Sequence, residues 1–162
     1  MNIRDEIELT IKTCNINRLR FFEVAKQSYQ DVLDRITDHF VDKTSDWKND
    51  IHWANMGYYK PELRIQYYDL DKENISWDDF RRKLLFIVPT VKYPVWFLVE
   101  GTKNYTHKYW VYEGYVPEIS MILNETSFND FYIVSKKYEW LISINHHNIL
   151  SLVGENLTFN HR

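Results

Sequence analysis

The apolar residues in the first half of the chain recur at helical spacing. Isoleucines stand at positions 3, 7 and 11, which predicts a helix over residues 2–13. A second apolar stripe predicts a helix over residues 27–41, where Ser28 and Asp31 have the spacing of a capping box. A short strand is predicted between these two helices, over residues 20–24.

The helical periodicity breaks down between residues 42 and 74, where aromatic residues are set among Gly, Pro, Asn and Asp. We expect a long ordered excursion here, with one strand over residues 62–68. Loops of this length often carry function. A further helix is predicted to begin at Ser76, which forms a second capping box with Asp79, and to end before Pro89.

From residue 95 onward the pattern is that of strands. Residues 95–99 and 108–113 predict an antiparallel hairpin, and a short helix with Pro117 near its first turn follows. The last predicted strands cover residues 129–135, 138–144 and 149–153. Because Lys136-Lys137 lacks the Asn or Gly that two-residue hairpin turns prefer, one bent strand over residues 129–144 is the alternative.

Together these elements predict one α+β domain over residues 1–162. N-terminal helices are expected to pack on one face of an antiparallel sheet that the C-terminal half mainly forms. A chain of 162 residues is long enough for one hydrophobic core.

Composition narrows the class of protein. Hydrophobic residues make up 44% of the chain and charged residues 27%, as in ordinary globular proteins. The apolar run at 84–88 is five residues long, far short of the ~20 that a transmembrane helix needs. The N-terminus is charged and lacks the apolar segment of a signal peptide. We therefore expect a cytoplasmic protein without a membrane span. Cys14, the single cysteine, excludes an intrachain disulfide.

Charge and aromatic content indicate the kind of partner. Twenty basic and 23 acidic residues leave a net charge of −3, which disfavours nucleic-acid binding. Aromatic residues reach 17%, with 12 Tyr and 6 Trp, and Tyr and Trp are enriched at protein interfaces. Another protein is the expected partner, and a homo-oligomer is the alternative.

The motifs of common enzymes are absent from the sequence. Four unclustered glycines form neither a phosphate-binding loop nor a dinucleotide fingerprint. No Gly-x-Ser-x-Gly motif is present, and Cys14 has no neighbouring histidine. We therefore expect no cofactor.

The densest polar chemistry beside regular structure lies at residues 145–148. Asn145, His146, His147 and Asn148 fall where one predicted strand ends and the next begins. Adjacent residues on a strand or in a turn are expected to point to opposite sides, so the two imidazoles are not expected to bind one metal ion. A general acid or base and a turn stabilised by its own hydrogen bonds are the remaining interpretations.

The C-terminal block resembles a family of small uncharacterised proteins from Gram-positive bacteria. The resemblance covers roughly the last 70 residues and rests on WFLVE at 96–100, YWVYEG at 109–114, YIVSKKYEWL at 132–141 and NHH at 145–147. This family places an acidic residue before Asn-His-His, where this chain has Ile144, which argues against a carboxylate-assisted histidine. The resemblance implies similarity to bacterial proteins encoded beside polymorphic toxins, among which immunity factors occur.

Two functional hypotheses follow. The first is a non-enzymatic protein-binding module, such as an immunity-type toxin inhibitor. Its expected contact residues are Trp47, Trp53, Tyr58 and Tyr59 of the aromatic excursion, with Asn145, His146 and His147. The second is a small hydrolase or nuclease that uses His146 or His147 with Glu139 or Glu113. A protein of no assignable activity is the remaining alternative.

Overall fold

Helices and strands follow one another along the chain in nearly the predicted order. The structure, a computed structural model, describes residues 2–42, 59–101, 109–128 and 130–161. Within these ranges the elements are α1 (Ile3–Thr13), β1 (Phe21–Glu23), α2 (Lys26–Phe40), β2 (Ile65–Asp69), α3 (Trp77–Ile87), β3 (Val95–Glu100), β4 (Tyr109–Gly114), α4 (Val116–Glu125), β5 (Phe131–Ser135), β6 (Trp140–Ile144) and β7 (Ile149–Gly154). None of the helices in these ranges is long and apolar enough to cross a bilayer.

Two helices begin at side-chain caps. Asn2 Oδ1 accepts the backbone N–H of Asp5 at 2.9 Å, and the Asp5 carboxylate accepts the N–H of Asn2 in return. Ser76 Oγ accepts the N–H of Asp79 at 3.1 Å, as the spacing of these two residues predicts. The start of α3 is therefore confirmed at the predicted cap.

The predicted cap of α2 is wrong. This helix begins after Ala25, which makes no side-chain hydrogen bond to the helix. The N–H of Ser28 already donates to the carbonyl of Ala25 at 2.8 Å, so Ser28 lies inside the first turn instead of preceding it. The helix itself is confirmed. Its position follows from its apolar stripe, which is buried, and does not depend on a cap by Ser28 and Asp31.

All seven strands join one antiparallel sheet in the order β1-β4-β3-β5-β6-β7-β2. The N-terminal half supplies the two edge strands, and the C-terminal half supplies the five between them. This arrangement confirms the α+β class and the predicted hairpin of β3 and β4.

The connection between β5 and β6 is a turn, so the alternative of one bent strand is wrong. The N–H of Tyr138 donates to the carbonyl of Ser135 at 2.9 Å, and Tyr138 adopts a positive φ of 57°. The Tyr138 ring stacks on His39 of α2, with 4.9 Å between the ring centroids. This ring contact holds a bulky residue in a conformation that favours glycine or asparagine.

Helices cover the first face of the sheet. Phe97, Tyr112 and Ile133 share this face by register. Trp77 of α3 contacts Phe131 edge-to-face, and its indole N–H donates to the carbonyl of Leu123 in α4 at 3.0 Å. Helix α1 packs beside α4 in turn. Helices α1, α3 and α4 therefore pack together on this side of the sheet.

Helix α2 and Tyr59 lie over the second face of the sheet. Leu98, Tyr132 and Ser143 share this face by register. The Tyr59 hydroxyl lies 3.3 Å from Ser143 Oγ, and Tyr59 forms an isolated β-bridge with Val41, which directly follows α2. Every residue of β5 and β6 is consequently buried, which explains why these strands are mostly apolar on both faces and carry no charged residue.

Phe97 supports the first prediction. Its side chain is fully buried and contacts the rings of Phe21, Tyr112, Phe128 and Phe131. We expect Phe97→Ala to lower the free energy of unfolding by about 3–5 kcal/mol, because it leaves a cavity among these rings. Urea denaturation measures the change.

The matched control is Phe86→Ala on α3, where the same side chain is 82% exposed. We expect this variant to differ from the wild type by less than about 0.5 kcal/mol. Equal losses for the two variants would contradict the assignment of Phe97 to the core.

Candidate functional site

Several strand termini meet at one end of the sheet. Strand β3 ends there at Glu100, β5 begins after Asp130, and the turn at residues 145–148 joins β6 to β7. Strand β2 ends at the same level, because Asp69 pairs with Ile149. The predicted polar turn is therefore confirmed, and it has neighbours from three other strands.

Hydrogen bonds from its own asparagines close the turn. The N–H of Asn148 donates to the carbonyl of Asn145 at 3.0 Å, and Asn148 has a φ of 58°. Asn145 Oδ1 accepts the N–H groups of His147 and Ile149 at 2.9 and 3.1 Å. Asn suits both positions, since its amide bonds nearby backbone and it tolerates the left-handed conformation. The turn thus holds both histidines in a defined place.

Asp130 anchors His146. Its Oδ1 accepts the backbone N–H of His146 at 2.7 Å and lies 3.2 Å from Nδ1 of the same imidazole. The carboxylate is 4% exposed, whereas the His146 side chain is 56% exposed. In a neutral imidazole, a carboxylate at Nδ1 favours the tautomer with hydrogen on Nδ1, which leaves Nε2 as an acceptor.

Glu100 adjoins this anchor from β3. Its N–H donates to the carbonyl of Asp130 at 3.2 Å. Burial raises the pKa of Glu100, and the charge of Asp130 and a hydrogen bond between the two carboxyl groups raise it further. A charged His146 acts in the opposite direction. The protonated form of Glu100 is therefore favoured at this position.

The two imidazoles lie together, which corrects the expectation that they point to opposite sides. Their ring centroids are 4.0 Å apart, at an angle of 47°. The expectation was wrong because both residues belong to the turn, where the alternation of a strand does not apply. Even so, no group of three or more His, Cys, Asp or Glu side chains in the described residues is arranged to hold a metal ion.

The predicted contact residues fall into three groups according to where the structure places them or does not describe them. The turn brings Asn145, His146 and His147 together. Tyr59 is only 7% exposed and takes part in the core. Its role as a partner contact stays a prediction, and core packing already accounts for its position. The other three aromatic residues, Trp47, Trp53 and Tyr58, lie outside the described residues.

The prediction that Glu139 or Glu113 assists one of the histidines is wrong. Glu113 pairs with Lys136, and Glu139 belongs to the turn between β5 and β6. Both lie at the end of the sheet opposite to His146. Asp130 supplies the carboxylate instead, even though Ile144 replaces the acidic residue of the resembling family.

Sequence reasoning missed Asp130 and Glu100. The hairpin of β5 and β6 pairs Phe131 with Ile144, so residues 130 and 145 follow directly at its open end. This register, once assigned, identifies Asp130 as the neighbour of the histidine turn. Glu100 follows from the next strand pair, because Val99 is registered with Phe131.

Fold and site define an α+β protein with a carboxylate-anchored pair of histidines on a hairpin turn. The chain belongs to a family of unknown function, DUF6756, whose model matches residues 1–161. No curated protein and no solved structure matches the chain.

Glu100 gives a prediction for the pH dependence of stability. Its pKa in the folded protein is raised above the ordinary value of 4.5, so the folded state binds more protons than the unfolded state just above pH 4.5. Its contribution to the free energy of unfolding therefore falls as pH rises through the folded pKa. We expect Glu100→Gln, measured against the wild type by urea denaturation, to gain relative stability from about pH 4 towards neutral pH.

Glu155→Gln is the control, since this residue is exposed in the segment after β7. It should not reproduce the gain seen for Glu100→Gln. A relative stability of Glu100→Gln that falls with rising pH would contradict the raised pKa of Glu100.

Proposed function

We propose that the chain is a non-enzymatic protein-binding module whose contact surface is centred on the turn at residues 145–148. The carrying observation is that this turn is held by short-range hydrogen bonds and by Asp130 while His146 and His147 remain exposed. A preorganised loop loses less conformational entropy on binding than a flexible one. Such a turn supports partner recognition without any catalytic group.

An immunity-type inhibitor of a bacterial toxin is the particular function that we propose. Its support is the resemblance of residues 96–147 to small bacterial proteins and the abundance of Tyr and Trp, which favour protein interfaces. On this proposal the protein acts in the cytoplasm. The candidate contacts, in addition to the turn, remain Trp47, Trp53, Tyr58 and Tyr59. Self-association is the alternative use of the same surface.

Affinity purification tests the binding function. We expect the tagged wild-type chain to retain one stoichiometric protein from its native cells, as identified by mass spectrometry. The double variant His146→Ala, His147→Ala should lose that protein, because it removes both exposed rings of the turn. If the retained protein is a toxin, its growth inhibition should be relieved by the wild type and not by the double variant.

His39→Phe is the matched control, since His39 is an exposed histidine on α2 and an aromatic ring can keep the stacking on Tyr138. It should retain the partner. Retention by the double variant at wild-type stoichiometry would remove the turn from the interface. Concentration-dependent mass of the wild type alone would favour self-association instead.

A histidine-dependent hydrolase is the second candidate function. The contact of Asp130 with His146 Nδ1 favours it, since a carboxylate that orients an imidazole is a common partner of a general base. Its Nε2 would then accept a proton from an attacking water molecule. No other described feature supports this function.

Turnover assays distinguish the two functions. If the protein is a hydrolase, the wild type should cleave a chromogenic ester or phosphodiester, and His146→Ala should lower the rate by about 10²–10⁴-fold. The control His39→Phe should keep the wild-type rate. Equal rates for the wild type and His146→Ala would exclude His146 as the base.

A further inference from the structure

The orientation of His146 determines which atom it offers to a partner. Asp130 occupies the Nδ1 side of the ring at 3.2 Å and also accepts the backbone N–H at 2.7 Å. The neutral ring therefore has its lone pair on Nε2, and 56% of the side chain is exposed. A partner group that binds at this nitrogen must therefore donate a hydrogen bond.

Acidic side chains from neighbouring strand ends bond this turn or adjoin its anchor, Asp130. Asp130 bonds His146, and Asp71 accepts the Asn148 amide at 3.4 Å from the turn that follows β2. Glu100 bonds Asp130 from the end of β3. Among the described residues, the charged side chains that bond this turn or its anchor thus favour a positive charge over a negative one.

We propose that the turn at residues 145–148 binds a basic side chain, an arginine or a lysine, of the protein partner. The inference rests on the binding function proposed above and names the chemistry of the group recognised. An N–H of the basic side chain donates to His146 Nε2, and its positive charge is favoured by Asp71, which bonds Asn148 of the same turn. Arginine fits best, because its planar guanidinium offers several donors and also stacks on the neighbouring imidazole of His147.

An acidic group is the less favourable occupant of the same place. Its carboxylate has no proton to donate to Nε2, and it would lie near Asp71 and Asp130. An acidic group would need a ring that donates from both nitrogens, so binding of glutamate in place of arginine would contradict the proposal.

Nuclear magnetic resonance tests the proposal without the partner. The full chain is titrated at about pH 7.5 with N-acetyl-arginine amide, and separately with N-acetyl-glutamate amide. We expect arginine to shift the His146 and His147 ring signals saturably, with a Kd of about 10–100 mM, as suits one charge-assisted hydrogen bond. Glutamate should leave these signals unshifted. The absence of a saturable shift with arginine would overturn the proposal.

Two variants locate the binding site. His146→Phe removes the acceptor, and Asp71→Asn removes the nearby charge from an exposed position. We expect the first to abolish the saturable shift of His147 and the second to raise the Kd severalfold. The matched control His39→Phe should bind arginine as the wild type does. Undiminished binding by His146→Phe, with wild-type signal dispersion elsewhere, would overturn the proposal.

The two hypotheses fail separately. A partner that depends on the turn, found together with no arginine binding, would leave the binding module standing and overturn the inference about its partner. Arginine binding without any retained protein would support the inference about the basic side chain and overturn the binding module.

Discussion

Burial of the central strands on both faces is the constraint on which the rest of the structure depends. Strands β5 and β6 expose none of their residues, since α3 and α4 lie on one face and the segment of Tyr59 lies on the other. Polar chemistry therefore has little place within these strands. It is confined to strand ends and turns, where Asp130, His146 and His147 stand.

The buried carboxylate of Asp130 illustrates how such a strand end is stabilised. Removing a charge from water is costly unless hydrogen bonds satisfy it. The backbone N–H of His146, the imidazole and the neighbouring carboxyl group of Glu100 together supply these bonds. One residue thereby links β3, β5 and the turn after β6. The position of the exposed histidines thus depends on a group that is itself hidden from solvent.

Local signals predicted the elements, and long-range register determined the site. The four-residue spacing of isoleucines and the Ser76 cap located α1 and α3, because helix formation depends on nearby residues. The Ser28 cap failed because the same pair of residue types also fits inside a first turn. Asp130 escaped prediction because its contact with His146 depends on how two strands pair, which no local pattern states. The burial of Tyr59 likewise depends on the second face of the sheet.

The strand order also bears on how the chain reaches its fold during synthesis. Strand β2 is made early, and among the described strands it pairs only with β7, the last of them in chain order, with Ile65 opposite Val153. On the ribosome, β2 stays an unpaired edge until the final strand has emerged. A nascent chain stalled before β7 therefore exposes two strand edges, those of β2 and β6, to other molecules. Completion of the sheet is thus a late event in the life of each molecule, and such non-local pairing folds slowly.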